Sequence, residues 1–187
     1  LPPLPDPDWT PPAISDEALT GRGTQPYTVL GAPAGGALPA LPWLTPGLRG
    51  LIVAGPGDVP WAGDLAAATG FPLLADACSG ARRGGPFEVA GFDALVGGEL
   101  ADAEPEVIIV CGALPLTRAA YEYVARWRCP LLLLETRGDQ DFLARASAAV
   151  PRADAAVRAA LAAACAPGDT PWRKRWLEAG ARAAQRL

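Results

Sequence analysis

The chain has 187 residues, half of them hydrophobic, and a formal net charge of −4 at pH 7. This composition predicts one globular domain with tails, because a domain of ~150 residues buries roughly 70% of its unfolded surface. The charges form no acidic or basic block, so neither nucleic acid nor an anionic membrane is expected as a partner. No apolar run approaches the ~20 residues that span a bilayer and no export signal is visible, which predicts a soluble, cytoplasmic protein.

Three residue types, His, Asn and Met, are missing from the sequence. Without His or Asn, a His-based triad, a His metal site and an Asn-dependent ligand set are excluded within this chain. The missing Met indicates that Leu1 is not a natural start, so we expect a fragment of a longer polypeptide. The cysteines form no C-x-x-C pair, which favours buried or inert thiols over a zinc or redox site. These cysteines are Cys78, Cys111, Cys129 and Cys165.

Three regions follow one another along the chain. Residues 1–47, rich in Pro and Gly, predict an extended linker and approach segment with one short strand-like run at 27–30. Residues 48–168 predict an α/β domain. Residues 169–187 predict a C-terminal helix that leads to a missing following domain.

The α/β region alternates apolar runs with helical patterns. Predicted strands cover 51–54, 71–75, 107–111 and 131–134. Predicted helices cover 59–69, 92–101, 115–128, 151–167 and 171–187. We expect Asp58 and Thr170 to cap the first and last helices, Gly70 to end the first, and Leu116 to lie on the buried face of the third. The alternation predicts a Rossmann-like parallel sheet with helices on both faces.

A glycine turn after the first strand resembles part of a dinucleotide-binding fingerprint. Gly55 and Gly57 could let a pyrophosphate approach the backbone, and Asp76, at the end of the next strand, could hold a ribose. The third glycine is absent because Pro60 stands in its place, which removes an amide donor and favours a plain structural turn. Nucleotide binding by these residues stays open as an alternative.

Three arginines are candidates for anion binding. Arg82 and Arg83 lie in a Gly-rich loop at the carboxyl end of a strand, where open α/β sheets bind ligands, and paired guanidiniums clamp carboxylate or phosphate. Arg118 lies in the first turn of the helix predicted after the third strand, where the backbone amides of the helix also favour an anion. Solvated loop charges are the favoured interpretation of Arg82 and Arg83, whereas a solvated helix charge explains Arg118 as well as anion binding does. Asp139 and Asp141 have no partner base nearby and are interpreted as caps.

Four segments match a family. The stretches that resemble the central domain of thiamine-diphosphate-dependent enzymes are 49–56 (RGLIVAGP), 69–76 (TGFPLLAD), 107–118 (VIIVCGALPLTR) and 170–172 (TPW). Within this superfamily the chain is most similar to the MenD family of menaquinone biosynthesis, which joins 2-oxoglutarate to isochorismate. The resemblance covers essentially the whole chain.

The resemblance implies a division of labour between domains. The family builds its active site from two outer α/β domains, which bind thiamine diphosphate and Mg²⁺ through a Gly-Asp-Gly motif with a downstream Asn-Asn. Neither motif is present here, so the resemblance implies a catalytically silent scaffold with no cofactor of its own. Its partners would be the flanking domains of the same polypeptide, within a homo-oligomer. Relatives carry a basic residue after the third strand that can face substrate carboxylates, and Arg118 matches it. The alternative is a free-standing module of this fold that binds FAD, ADP or NAD.

Overall fold

The computed structural model describes residues 38–134, 141 and 143–186. The interpretations of residues 1–37, of Asp139 and of the final Leu187 lie outside the described residues. Within the described ranges, no helix has both the length and the apolar character needed to cross a membrane.

A five-stranded, fully parallel sheet forms the centre of the fold. Its strands are β1 Gly50–Ala54, β2 Leu73–Ala75, β3 Val107–Cys111, β4 Leu131–Leu134 and β5 Ala148–Val150, in the order β2-β1-β3-β4-β5. Every residue of β1 to β4 is buried, as expected of strands that are covered on both faces. The predicted parallel α/β architecture is therefore confirmed.

In the part of the chain that the structure describes, five helices cover the two faces of this sheet. They are α1 Ala62–Thr69, α2 Phe92–Val96, α3 Arg118–Arg126, α4 Ala155–Cys165 and α5 Thr170–Ala184. Helices α1 and α4 pack on the face that carries Ile52 and Ile109. Helices α2, α3 and α5 pack on the opposite face, where Leu51 and Ile108 lie. Because successive strand side chains point to opposite faces, each apolar run supplies both layers of the core.

Aromatic side chains join α3 and α5 on the second face. Trp176 lies edge-on to Tyr123 with ring centroids 5.9 Å apart, and to Trp172 at 5.7 Å. The indole Nε1 of Trp172 donates a hydrogen bond of 2.9 Å to the carbonyl oxygen of Gly50. The last helix thus belongs to the same hydrophobic core as the first strand. The domain boundary expected at residue 169 stays a prediction.

Several predicted helix boundaries were wrong. Asp58 does not cap α1, which begins after Trp61 without a side-chain cap. The backbone beside Asp58 instead pairs with the loop that follows β2, where the Gly80 amide donates to the Gly57 carbonyl at 2.9 Å. The left-handed exit at Gly70 is confirmed by its φ of 77°.

The later elements also differ from their predictions. The cap of α5 is Asp169 rather than Thr170, because Asp169 Oδ1 accepts the Trp172 amide at 2.6 Å. Helix α4 starts at Ala155, after a strand, β5, that was not predicted. Leu116, expected on a buried face, is 70% exposed because α3 begins only at Arg118.

Candidate functional site

The carboxyl ends of the parallel strands bring all the candidate residues to one edge of the sheet. The segment after β1 carries Gly55 and Gly57, and the segment after β3 leads to Arg118. The segment after β2 carries Asp76 and residues 77–85, which we call the arginine loop. Open parallel sheets bind ligands at this edge, next to the point where the strand order reverses. Here that point lies between β1 and β3. We call this region the carboxyl edge.

The glycine turn packs directly against the segment after β3. The Gly55 amide donates to the Cys111 carbonyl at 3.3 Å, and the Ala113 amide donates to the Pro56 carbonyl at 3.3 Å. A Cβ added to Gly55 would lie 1.9 Å from the Ala113 carbonyl oxygen. Gly55 is therefore needed here for the close approach of two backbone segments.

Asp76 lies directly after β2 with 2% of its surface exposed. Its Oδ1 accepts the Cys78 amide at 2.9 Å and its Oδ2 accepts the Leu116 amide at 3.0 Å. Both carboxylate oxygens are thus engaged by main-chain amides, one of them 40 residues away. In this structure Asp76 ties the β2 and β3 ends of the carboxyl edge together.

The arginine loop is held by a second carboxylate. Glu88 Oε2 accepts the amides of Arg83 and Gly84 at 3.0 and 2.7 Å, and Arg83 Nε donates to the Gly80 carbonyl at 3.1 Å. Arg83 also lines an open pocket of about 240 Å³ between this loop and α1. Arg82 is exposed. The loop therefore presents both arginines at the surface, with Arg83 partly committed to the loop itself.

Arg118 is the first residue of α3, and 89% of its side chain is exposed. Its Nε donates to Glu122 Oε1 at 2.7 Å, one helical turn further on. This hydrogen bond, together with the attraction between the two charges, raises the pKa of Arg118 above its usual value. The guanidinium is a permanent cation that stands at the carboxyl edge with a single internal counter-charge among the described residues.

Three supporting residues were not identified from the sequence. Glu122 could have been found from its spacing to Arg118, because residues four apart on a helix are neighbours. Thr117 Oγ1 donates a hydrogen bond to the Asp93 carboxylate. That contact joins residues 24 positions apart, and the contact of Glu88 depends on the folding of its loop, so neither gives a local signal in the sequence.

The cysteines have different environments. Cys111 and Cys165 are buried, Cys129 is half-buried and Cys78 is exposed. Burial raises the pKa of the Cys129 thiol and raises that of Cys165 to about 11. A raised pKa lowers the thiolate fraction at neutral pH, so these two thiols are poor nucleophiles.

The described residues do not fit a magnesium diphosphate group. They contain no set of three or more His, Cys, Asp or Glu side chains placed to hold a metal ion. The two carboxylate oxygens of Asp76 are engaged by amides, as described above. No reaction step through such a cofactor is therefore assigned to these residues.

The chain resembles individual known proteins, although no protein-family model matches it. A 2-succinyl-5-enolpyruvyl-6-hydroxy-3-cyclohexene-1-carboxylate synthase of Halorubrum lacusprofundi is 34% identical over 154 residues, covering 70% of this chain and 25% of the relative. A synthase with the same name from Haloquadratum walsbyi is 29% identical over 198 aligned positions, covering 96% of this chain and 32% of the relative. A third, from Rubrobacter xylanophilus, is 34% identical over 155 residues, covering 74% and 26%.

The chain is homologous to one segment of these synthases. It spans about a quarter to a third of the length of the curated synthases that it matches. The resemblance found in the sequence motifs is thereby confirmed.

Proposed function

We propose that this chain is the central, non-catalytic segment of a thiamine-diphosphate-dependent synthase of menaquinone biosynthesis. The observation that carries the proposal is the alignment of 96% of this chain with only 32% of a synthase of that kind. The complete polypeptide would act in the cytoplasm as a homo-oligomer, decarboxylating 2-oxoglutarate and adding the product to isochorismate.

In this proposal the segment acts as scaffold and interface. Thiamine diphosphate and Mg²⁺ would be bound by the flanking domains, where the cofactor supplies the carbanion chemistry. The contribution of this segment would be to hold the flanking domains and to present charged side chains at the carboxyl edge.

The second part of the proposal gives Arg118 a role in substrate binding. Its exposed guanidinium stands at the start of α3, where no side chain among the described residues caps the helix and the amides of the first turn add to its positive charge. A substrate carboxylate would accept hydrogen bonds from the guanidinium in place of, or together with, Glu122. Arg82 and Arg83 would add to the positive potential of the same edge.

The role of Arg118 is tested in the complete polypeptide by Arg118→Ala. Because an exposed ion pair contributes little free energy, we expect the KM for 2-oxoglutarate or isochorismate to rise by roughly two- to fivefold while kcat changes less. Glu122→Gln should lower the same KM, since it removes the competing carboxylate. Arg126→Ala is the matched control, because Arg126 ends the same helix and donates to the Ala101 carbonyl at 2.7 Å.

Two results would contradict the proposal. Unchanged KM values for both substrates in Arg118→Ala would remove this residue from the site. Product formation by the 187-residue chain alone, supplied with thiamine diphosphate, Mg²⁺ and both substrates, would overturn the scaffold role. Calorimetric titration of the same chain with FAD, ADP and NAD distinguishes the nucleotide-binding alternative, which predicts heat of binding for one of them.

A further inference from the structure

The Asp76 carboxylate connects the arginine loop to the start of α3. Among the described residues, both of its hydrogen-bond partners are main-chain amides, those of Cys78 and Leu116. Burying a carboxylate is costly unless it is hydrogen-bonded, and a charge-assisted bond is roughly twice as strong as a neutral one. A buried carboxylate held in this way is a strong and directional tether.

The segment before α3 is anchored by the buried Leu114 and Pro115, whereas the next two residues depend on polar contacts. Leu116 is 70% exposed, so its side chain does not fix the segment by burial. Thr117, the N-cap residue, makes no side-chain bond to a helix amide and donates its hydroxyl to Asp93 instead. The two residues that precede Arg118 are therefore held by two carboxylates from other segments, Asp76 on the main chain and Asp93 on a side chain.

We infer that Asp76 is a positioning residue that sets the place of Arg118 at the carboxyl edge. It fixes the main chain two residues before Arg118, while the guanidinium itself remains exposed. This inference rests on the proposed role of Arg118 in binding a substrate carboxylate. It assigns to Asp76 no contact with the substrate.

The test is Asp76→Asn in the complete polypeptide. Asn keeps the shape of Asp, but its amide nitrogen is a donor and cannot accept the Leu116 amide if the carbonyl oxygen serves Cys78. We expect hydrogen exchange of the peptide containing Leu116 to become faster by roughly tenfold or more. We also expect the KM for the carboxylate substrate to rise as far as in Arg118→Ala, with little change in kcat.

A double variant distinguishes positioning from a general loss of structure. If Asp76 acts through Arg118, the variant Asp76→Asn/Arg118→Ala has the KM of Arg118→Ala alone, since coupled residues are not additive. Glu106→Gln is the control, because Glu106 Oε2 also accepts a main-chain amide, that of Arg49 at 2.9 Å, just before β1 and β3 begin. It should leave the KM unchanged. Where Asp76→Asn does not fold, Asp76→Glu gives the same measurements with the carboxylate displaced by one methylene.

The possible results distinguish the positioning role of Asp76 from the substrate-binding role proposed for Arg118. A normal KM in the Asp76 variant, together with a raised KM in Arg118→Ala, would overturn the inference and leave the role of Arg118 intact. A further rise of KM in the double variant would also overturn it, because Asp76 would then act independently. An unchanged KM in Arg118→Ala would contradict the substrate contact and the inference together.

Discussion

Replacing Gly55 by Ala tests the close contact between the segments that follow β1 and β3. The added Cβ would lie 1.9 Å from the Ala113 carbonyl oxygen, 2.7 Å from the Ala113 carbonyl carbon and 2.8 Å from that of Leu114. All three are main-chain atoms, so no side-chain rotation relieves the overlap. The φ of Gly55 lies outside the left-handed region, so the penalty is steric rather than conformational.

Overpacking of this kind costs about 1–3 kcal/mol. For a chain of this size each kcal/mol shifts the Tm by roughly 2–4 °C, so Gly55→Ala should lower it by about 2–12 °C. The matched control is Gly63→Ala in α1, where an added Cβ meets nothing within 4 Å. Because Ala is favoured over Gly within a helix by about 0.5–1 kcal/mol, this variant should be slightly more stable than the wild type.

Thermal unfolding of the 187-residue chain, followed by far-ultraviolet circular dichroism, measures both variants. A Tm of Gly55→Ala at or above the wild-type value would refute the reasoning, because the two segments would then separate without loss. A fall in both variants by the same amount would also refute it, since the loss would not depend on the contact.

Two further predictions concern the helices of the core. Asp169→Ala should destabilise the chain by about 1 kcal/mol through loss of the α5 cap, whereas Thr170→Ala should change little; denaturant titration compares them. Burial raises the pKa of Cys165 to about 11 from the ordinary 9.0, so this thiol loses its proton more readily in the unfolded chain than in the folded one. Its contribution to the free energy of unfolding is therefore complete below pH 9 and is lost as the pH rises toward 11. Cys165→Ala should therefore show a smaller fall in the free energy of unfolding across that range, and an equal fall in both proteins would contradict the assignment.

The strands were predictable where burial on both faces leaves a continuous apolar run. Residues 107–111 and 131–134 have no polar interruption, and their predicted bounds agree with β3 and β4. Strand β5 was missed because Ala148 and Ala149 favour a helix, and the strand exists only through its pairing with β4. Local propensity cannot reveal a strand that is made by its neighbour.

The candidate site was predictable in position but not in its connections. Strand ends place Asp76, Arg82 and Arg118 at one edge because parallel strands end together. The bond from the Leu116 amide to Asp76 joins residues 40 positions apart, and no pattern in the sequence indicates it. Asp76 was a candidate because of its distance from the glycine turn, whereas in the structure its carboxylate accepts two main-chain amides.

The hydrogen bond from Trp172 to the Gly50 carbonyl joins residues 122 positions apart. During synthesis the first strand leaves the ribosome long before the helix that shields one of its faces. That face of β1 must therefore wait for Trp172 and Trp176 before its shielding is complete. Removing residues 172–184 would leave an apolar surface on that face of the sheet, open to association with other chains, so the core is complete only once α5 has docked.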